Sequence, residues 1–209
     1  MSNIERFTPR SVLCVGRNYV EHAAQMQAEV PAEPLIFLKP VTSVIASGEA
    51  IVYPGWLSAK VEFEGELAVV IGKQCYRTDE DAAMDYVLGY TCANDVTARD
   101  LQRKDGQWSR GKGFDTFCPL GPIIAKNIDP HNLRLITRVN GVVKQDDTTA
   151  HLVFRIPRLI SHISQFMTLS PGDVILTGSP AGVGPILPGD TVEVEIEHIG
   201  VLSNPVIAG

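Results

Sequence analysis

A basic excess is missing from this chain: 18 lysines and arginines stand against 24 acidic residues, a formal net charge of −6. No run of five or more lysines and arginines occurs, which argues against a nucleic-acid partner. Long apolar runs are missing too. The longest are strand-length, such as Leu67 to Ile71, too short to cross a bilayer as a helix. The N-terminus, MSNIERFTPR, is polar and lacks the apolar stretch of a signal peptide. The expectation is a cytoplasmic protein, free of membrane. Cysteines number four, Cys14, Cys75, Cys92 and Cys118, and none forms a C-x-x-C pair. All sit in apolar or strand-like contexts. They read as buried free thiols in a reducing compartment, with disulfides or a zinc site as the poorer alternatives. Repeats and low-complexity tracts are absent.

What is present is ordinary globular composition, 44% hydrophobic and 20% charged over 209 residues. That suits one domain, residues 1–209, with a core that needs no staple. Prolines and glycines, 14 and 18 of them, punctuate the chain at short intervals, which favours many short strands and tight turns. Val12 to Val15 reads as a buried strand. A turn at Gly16-Arg17-Asn18 leads into a short helix, Tyr19 to Met26, with Asn18 as its N-cap. Gln27 to Pro34 reads as a loop and Leu35 to Leu38 as a strand. Val61 to Ile71 reads as one long strand that becomes continuously apolar, hence central. Asp79 to Val87 suggests a helix, and Tyr90 to Ala93 a strand. Thr97-Ala-Arg-Asp100 resembles a capping box that opens a helix through about Lys104. Asn140-Gly141 between apolar residues predicts a hairpin. Leu159, Ile160, Ile163, Phe166 and Met167 share one face of a helix from Pro157 to Leu169. Val174 to Thr177 and Thr191 to Glu197 read as strands, the latter with its glutamates facing solvent. Strands and helices do not alternate regularly, so the predicted fold is mixed and β-rich (α+β) rather than doubly wound.

Period two puts Glu62, Glu64 and Glu66 on one face of a strand that runs into an apolar segment. Three like charges entering a core would repel and lose hydration. A divalent cation would relieve both; a solvated strand end is the plainer alternative. Asp95, at the end of Cys92-Ala93-Asn94-Asp95, is either a turn residue or a further ligand. Glu64, Glu66 and Asp95 together would offer three oxygens to Mg2+, Mn2+ or Ca2+. The five histidines show no paired spacing, which weighs against zinc. Arg99, Gln102, Arg103, Arg110 and Lys112 follow. Each alone would be a solvated charge or amide, but beside a metal they would bind an anion.

Several blocks then resemble the fumarylacetoacetate hydrolase family. They are Val15-Gly-Arg-Asn-Tyr19 with His22, Phe37-Leu-Lys39-Pro40, Glu64-Gly-Glu66-Leu-Ala-Val-Val-Ile-Gly72, Gly89 through Asp95 to Gln102, Lys112-Gly-Phe and Leu176 to Gly184. They run in order from about residue 12 to the C-terminus, and the likeness is closest to the compact acylpyruvate hydrolase and hydroxyhepta-dienedioate isomerase type. The resemblance implies a β-roll, β-barrel-like fold with short peripheral helices, usually as a homodimer. It implies Mg2+ or Mn2+ on Glu64, Glu66 and Asp95, whereas Glu62 matches no family ligand. It assigns Arg17, Lys39, Arg99, Gln102 and Ser179 to the substrate side, with Ser179 keeping a hydroxyl where the family usually has threonine. It assigns His22 and Lys112 to catalysis. His22 would belong to a mobile dyad whose partner is commonly glutamate; Gln25 stands there instead. The implied reaction is C–C hydrolysis of an acylpyruvate-like 2,4-dioxo acid through a metal-stabilised enolate. An isomerase, tautomerase or decarboxylase on a related 2-oxo acid is the second reading, and a silent small-acid or metal binder the third.

Overall fold

The computed structural model describes residues 8–209, so most of the polar N-terminal stretch lies outside the described residues. In chain order, strand β1 (Val12–Gly16) leads to helix α1 (Val20–Gln25) and then β2 (Leu35–Lys39), β3 (Val44–Ile45) and β4 (Ile51–Tyr53). Next come β5 (Val61–Phe63), β6 (Gly65–Ile71), β7 (Val87–Asn94) and β8 (Thr97–Ala98), followed by α2 (Arg99–Asp105) and α3 (Ser109–Lys112). The second half holds β9 (Cys118–Ala125), the hairpin β10 (Arg134–Val139) and β11 (Val142–Thr148), α4 (Ile156–Ser164), β12 (Val174–Leu176), β13 (Gly184–Pro185), β14 (Thr191–Ile196) and β15 (Gly200–Ala208).

Three sheets result: β2-β1-β12-β6-β7-β9-β3, β11-β10-β14-β15-β4 and β13-β5-β8. The mixed, strand-rich class expected from sequence is what forms, with the large sheet curled as half a barrel. Every residue of β6 is buried, because β12 and β7 cover its edges and its two faces pack into separate apolar clusters. One face of β6, through Leu67, Val69 and Ile71, packs with Leu135, Val194 and Ile196 of the five-stranded sheet and with Leu159, Ile160 and Ile163 of α4. Each such side chain contributes about 1.5–3 kcal/mol of burial. β14 alternates inward valines and isoleucine with half-exposed positions, as its sequence suggests. Asn140 (φ 52°) and Gly141 (φ 76°) both take positive φ, the mark of a type I′ hairpin turn. All four cysteines are free and buried. Among the described residues no helix is long and apolar enough to cross a membrane.

Five local expectations are corrected. The strand expected over Val61 to Ile71 breaks at Glu64, where the chain passes from the three-stranded to the seven-stranded sheet. Asn18 does not cap α1, whose N-cap is Tyr19. Its amide donates to Phe154 O and Thr177 O and its Oδ1 accepts from Phe154 N, because a fully buried amide must satisfy both ends. Thr97 and Asp100 form no capping box: the Thr97 hydroxyl lies 2.9 Å from Asp95 O and 3.2 Å from Glu64 Oε1, and Asp100 accepts from Ser58 and Ala59. The segment Glu80–Tyr86 winds as 3-10 rather than α. α4 stops at Ser164, so Phe166 lies 57% exposed instead of completing the apolar face.

Candidate active site

The antiparallel register of β6 and β7 pairs Gly65 with Asn94 and Glu66 with Ala93. That sets the Glu64-Gly-Glu66 arm beside Asp95. Two further bonds lock the join: Glu64 N donates to Asn94 Oδ1 at 3.0 Å, and Asp95 N donates to Glu64 O at 2.8 Å. Glu64, Glu66 and Asp95 are all buried, and one ligand oxygen of each lies within 4.8 Å of the others. They open on a cavity of about 300 Å³ whose wall also includes His22, Gln102, Lys112 and Ser179. Trp108 and Phe37, in an edge-to-face pair 5.1 Å apart, form its aromatic side, and Arg17 lies over the Trp108 ring at 5.9 Å.

The carboxylates do not stand alone. Lys112 donates to Glu64 Oε2 at 3.0 Å and to Asp95 Oδ2. Lys39 donates to Asp95 Oδ1 at 2.5 Å and to Val96 O. Arg99 spends its three nitrogens on Glu62, Gln102 and Glu64. Four buried carboxylates, Glu62, Glu64, Glu66 and Asp95, thus face three buried cations. Burial would raise the Glu64 carboxyl, but Lys112 and Arg99 outweigh it and hold that group well below the usual range. Glu66 goes the other way. Burial, then Asp95 and Glu64, push it well above the usual range, with Lys112 and the Gly178 N–H opposing. Burial lowers Lys112, yet Asp95 and Glu64 raise it further, so it stays an ammonium. Burial likewise lowers His22, favouring the neutral ring.

This donor set fits a hard divalent cation: three carboxylates, all oxygen, at mutual ligand distance. Burial pushes the Cys92 and Cys118 thiols up to about 12, so they remain protonated. Counting all four carboxylates as ionised against the three buried cations, a divalent ion would leave the buried cluster with one positive charge, which suits an anion.

The residues singled out from sequence therefore gather in one place, with four refinements. Glu62 binds Arg99 and Lys60 rather than joining the three ligand oxygens. Lys39 stands behind Asp95 and does not line the cavity. Arg110 pairs with Asp105 on the surface. Gln25 does not hold His22; it bonds to Gly182 and Val183. Among the described residues His22 Nδ1 is buried without a hydrogen-bond partner. Sequence reasoning missed Gln145, which is 1% exposed. Its Oε1 accepts from Gly65 N and its Nε2 donates to Ser179 Oγ. Its polar, charged strand context carried no signal of this. Trp108 was missed as well, although Gly16 had to be glycine beside it: a Cβ there would stand 2.6 Å from the indole.

Residues 11–207 match the model of the family described as Fumarylacetoacetate (FAA) hydrolase C-terminal. Human mitochondrial oxaloacetate tautomerase FAHD2B is 48% identical, over 95% of this chain and 67% of its own length. The crystal structure of 2-hydroxyhepta-2,4-diene-1,7-dioate isomerase from Mycobacterium marinum is 49% identical with a TM-score of 0.90, covering 97% of this chain and 76% of that one. Fumarylpyruvate hydrolase from Pseudomonas aeruginosa, in complex with Mn2+ and pyruvate, is 33% identical with a TM-score of 0.91, covering 97% and 91%. Coverage this wide makes the likeness one of whole folds rather than of a motif. The three names span three reactions, so the likeness leaves the reaction open.

Proposed function

The chain belongs to the fumarylacetoacetate hydrolase family, and from that premise we propose a divalent-metal-dependent enzyme of small 2-oxo acids. Its first chemistry is proton transfer beside the 2-oxo group, as in a tautomerase or isomerase. One observation carries this reading. His22 faces the carboxylate cluster in one cavity, while Gln25, the residue expected to brace it, is bonded elsewhere.

In this reading Glu64, Glu66 and Asp95 hold Mg2+ or Mn2+. When bound, the cation would draw electron density from the substrate's 2-oxo and carboxylate oxygens and lower the cost of forming its enolate. Lys112, kept charged by Glu64 and Asp95, sets a fixed positive charge against the anion. Arg17 and Arg103, on the cavity wall, attract it. Lys39 holds Asp95 from behind the cavity, and Arg99, on the cavity wall, holds Glu64 and Gln102 in position. His22 begins neutral and offers Nδ1 to take up or return the proton. Residues 1–209 form one catalytic domain, working as a homodimer.

C–C hydrolysis of an acylpyruvate-like acid is the second reading, favoured by the likeness to the hydrolase that binds Mn2+ and pyruvate. It needs an activated water and an imidazolium with a partner, and among the described residues no carboxylate bonds His22 Nδ1. The test is a panel of oxaloacetate and acylpyruvates with Mg2+ or Mn2+, scored separately for tautomerisation, decarboxylation and cleavage. Tautomerisation should be fastest. Cleavage outrunning proton transfer would reverse the order of the two readings, and silence on every substrate would leave only a binder.

A further inference from the structure

Gln25 ends α1 three residues after His22. Its carboxamide meets one loop twice. Gly182 N donates to Gln25 Oε1 at 2.8 Å, and Gln25 Nε2 donates to Val183 O at 3.1 Å. An amide carries a donor and an acceptor on one plane, so it can read an N–H and a carbonyl of the same strand of chain. A glutamate in its place could accept from Gly182 but would set its other oxygen against the Val183 carbonyl.

The same loop is tied down from its other side. Gln145 Nε2 donates to Ser179 Oγ and Pro180 O, each at 2.8 Å, and Ser179 Oγ donates to Gly65 O at 2.9 Å. Gly178 N donates to Glu66 Oε2 at 2.6 Å. Gly182 (φ 100°) passes so close to Lys144 O that a Cβ would stand 2.1 Å from it. One margin of the 178–183 loop is therefore fixed to the Glu64-Gly65-Glu66 arm, and the other is held by the helix that carries His22.

We propose that Gln25 is a positioning residue: its carboxamide clamps α1 onto the 178–183 loop and so sets His22 relative to the carboxylate cluster, without touching His22 or substrate. The clamp accounts for an amide where the family resemblance leads one to expect glutamate. It rests on the proposed function only for what His22 does, and not for the docking of the helix.

The test uses the full chain. Hydrogen exchange is measured on metal-free protein at the α1 amides of Ala23 and Met26, which bond Tyr19 O and His22 O, with Thr177, bonded to Leu67 O, as the internal reference. Losing two neutral, partly exposed bonds should speed α1 exchange about tenfold in Gln25→Ala and leave Thr177 unchanged. Gln25→Glu should loosen α1 as well. Ring signals of His22 in histidine-labelled protein should broaden or shift in both variants. In turnover, Gln25→Ala should lower kcat severalfold with little change in Mn2+ affinity, and should cost nothing further once His22 is alanine, since the two act as one unit. Unchanged α1 exchange in both variants would overturn the clamp. So would a Gln25→Glu protein with a better-protected helix and a His22-dependent gain in hydrolysis, because position 25 would then brace the ring directly. If no 2-oxo acid turns over, the proposed function fails, while the exchange and ring measurements still decide the clamp.

Discussion

Glu64 meets Arg99, Lys112 and Thr97 at once, from the break between β5 and β6. Replacing it by glutamine removes a ligand and leaves two buried cations short of a partner. Glu64→Gln should weaken Mn2+ binding by about 100-fold or more, beyond what loss of an outer partner costs. Its turnover should fall to that of metal-free protein. Calorimetric Mn2+ titration with parallel rate measurement checks this; unchanged affinity and rate would remove Glu64 from the metal. Glu66 supplies a second expectation. Burial and its acidic neighbours raise its carboxyl, so a proton competes with the ion. A raised folded pKa means that the metal-free protein holds this proton up to a higher pH than the unfolded chain does. Metal affinity should therefore rise with pH, and binding should release protons, seen as heats that vary with buffer ionisation enthalpy. Affinity flat with pH and heats independent of buffer would contradict this. These two glutamates were legible in the sequence because they alternate into an apolar run. Glu62 shares that alternation but turns to Arg99, a partner set by tertiary packing that no local period reveals.

At the scale of elements, α1 and the loop after it form one side of the cavity, and the loop is the part expected to open. His22, Met26 and Ala28 line it, while Val20, Glu21 and Ala24 face solvent. A segment with so few buried anchors is drawn from the low-stability end of the fold. Amides of 29–34, in the loop beyond the clamped helix, should exchange quickly in free protein and slowly with Mg2+ and oxalate, a planar two-oxygen chelator. Equal protection in the two states would refute a lid. Its root is better fixed. Asn18 joins β1 to α1 and ties both to Phe154 and Thr177. Asn18→Ala should cost on the order of 3 kcal/mol, since three buried bonds go and orphaned backbone groups remain; denaturant melts measure it, and a loss under 1 kcal/mol would be too small for that role. The sequence placed these elements well and their caps badly. Side chains of cap type found other partners: Asn18 and Asp100 bond distant segments, and the Thr97 hydroxyl meets Asp95 O and Glu64 instead of capping a helix. Phe166 kept helical spacing past Ser164, but the helix had already ended.

Across the whole molecule, the site is a meeting of distant segments. β1 pairs in parallel with β12, some 160 residues on, and β12 pairs with β6, which brings the 178–183 loop to the glutamate arm. Period and turn signals show that strands exist, but they do not choose such partners. The family resemblance supplied the fold type and the site residues but no strand pairing, and Gln145 lay outside both kinds of signal. What the assembled site holds is a nearly balanced set of buried charges that a divalent ion would tip positive. The central claim is that this set makes the proton beside a 2-oxo group labile. Solvent-deuterium incorporation at C3 of oxaloacetate, followed by proton NMR, measures that directly. Exchange should run well above the spontaneous rate in Mg2+- or Mn2+-loaded protein. It should return to that rate with chelator and in Glu64→Gln. Catalysed exchange that persists undiminished in metal-stripped protein, or loaded protein that adds nothing to the spontaneous rate, would contradict the claim.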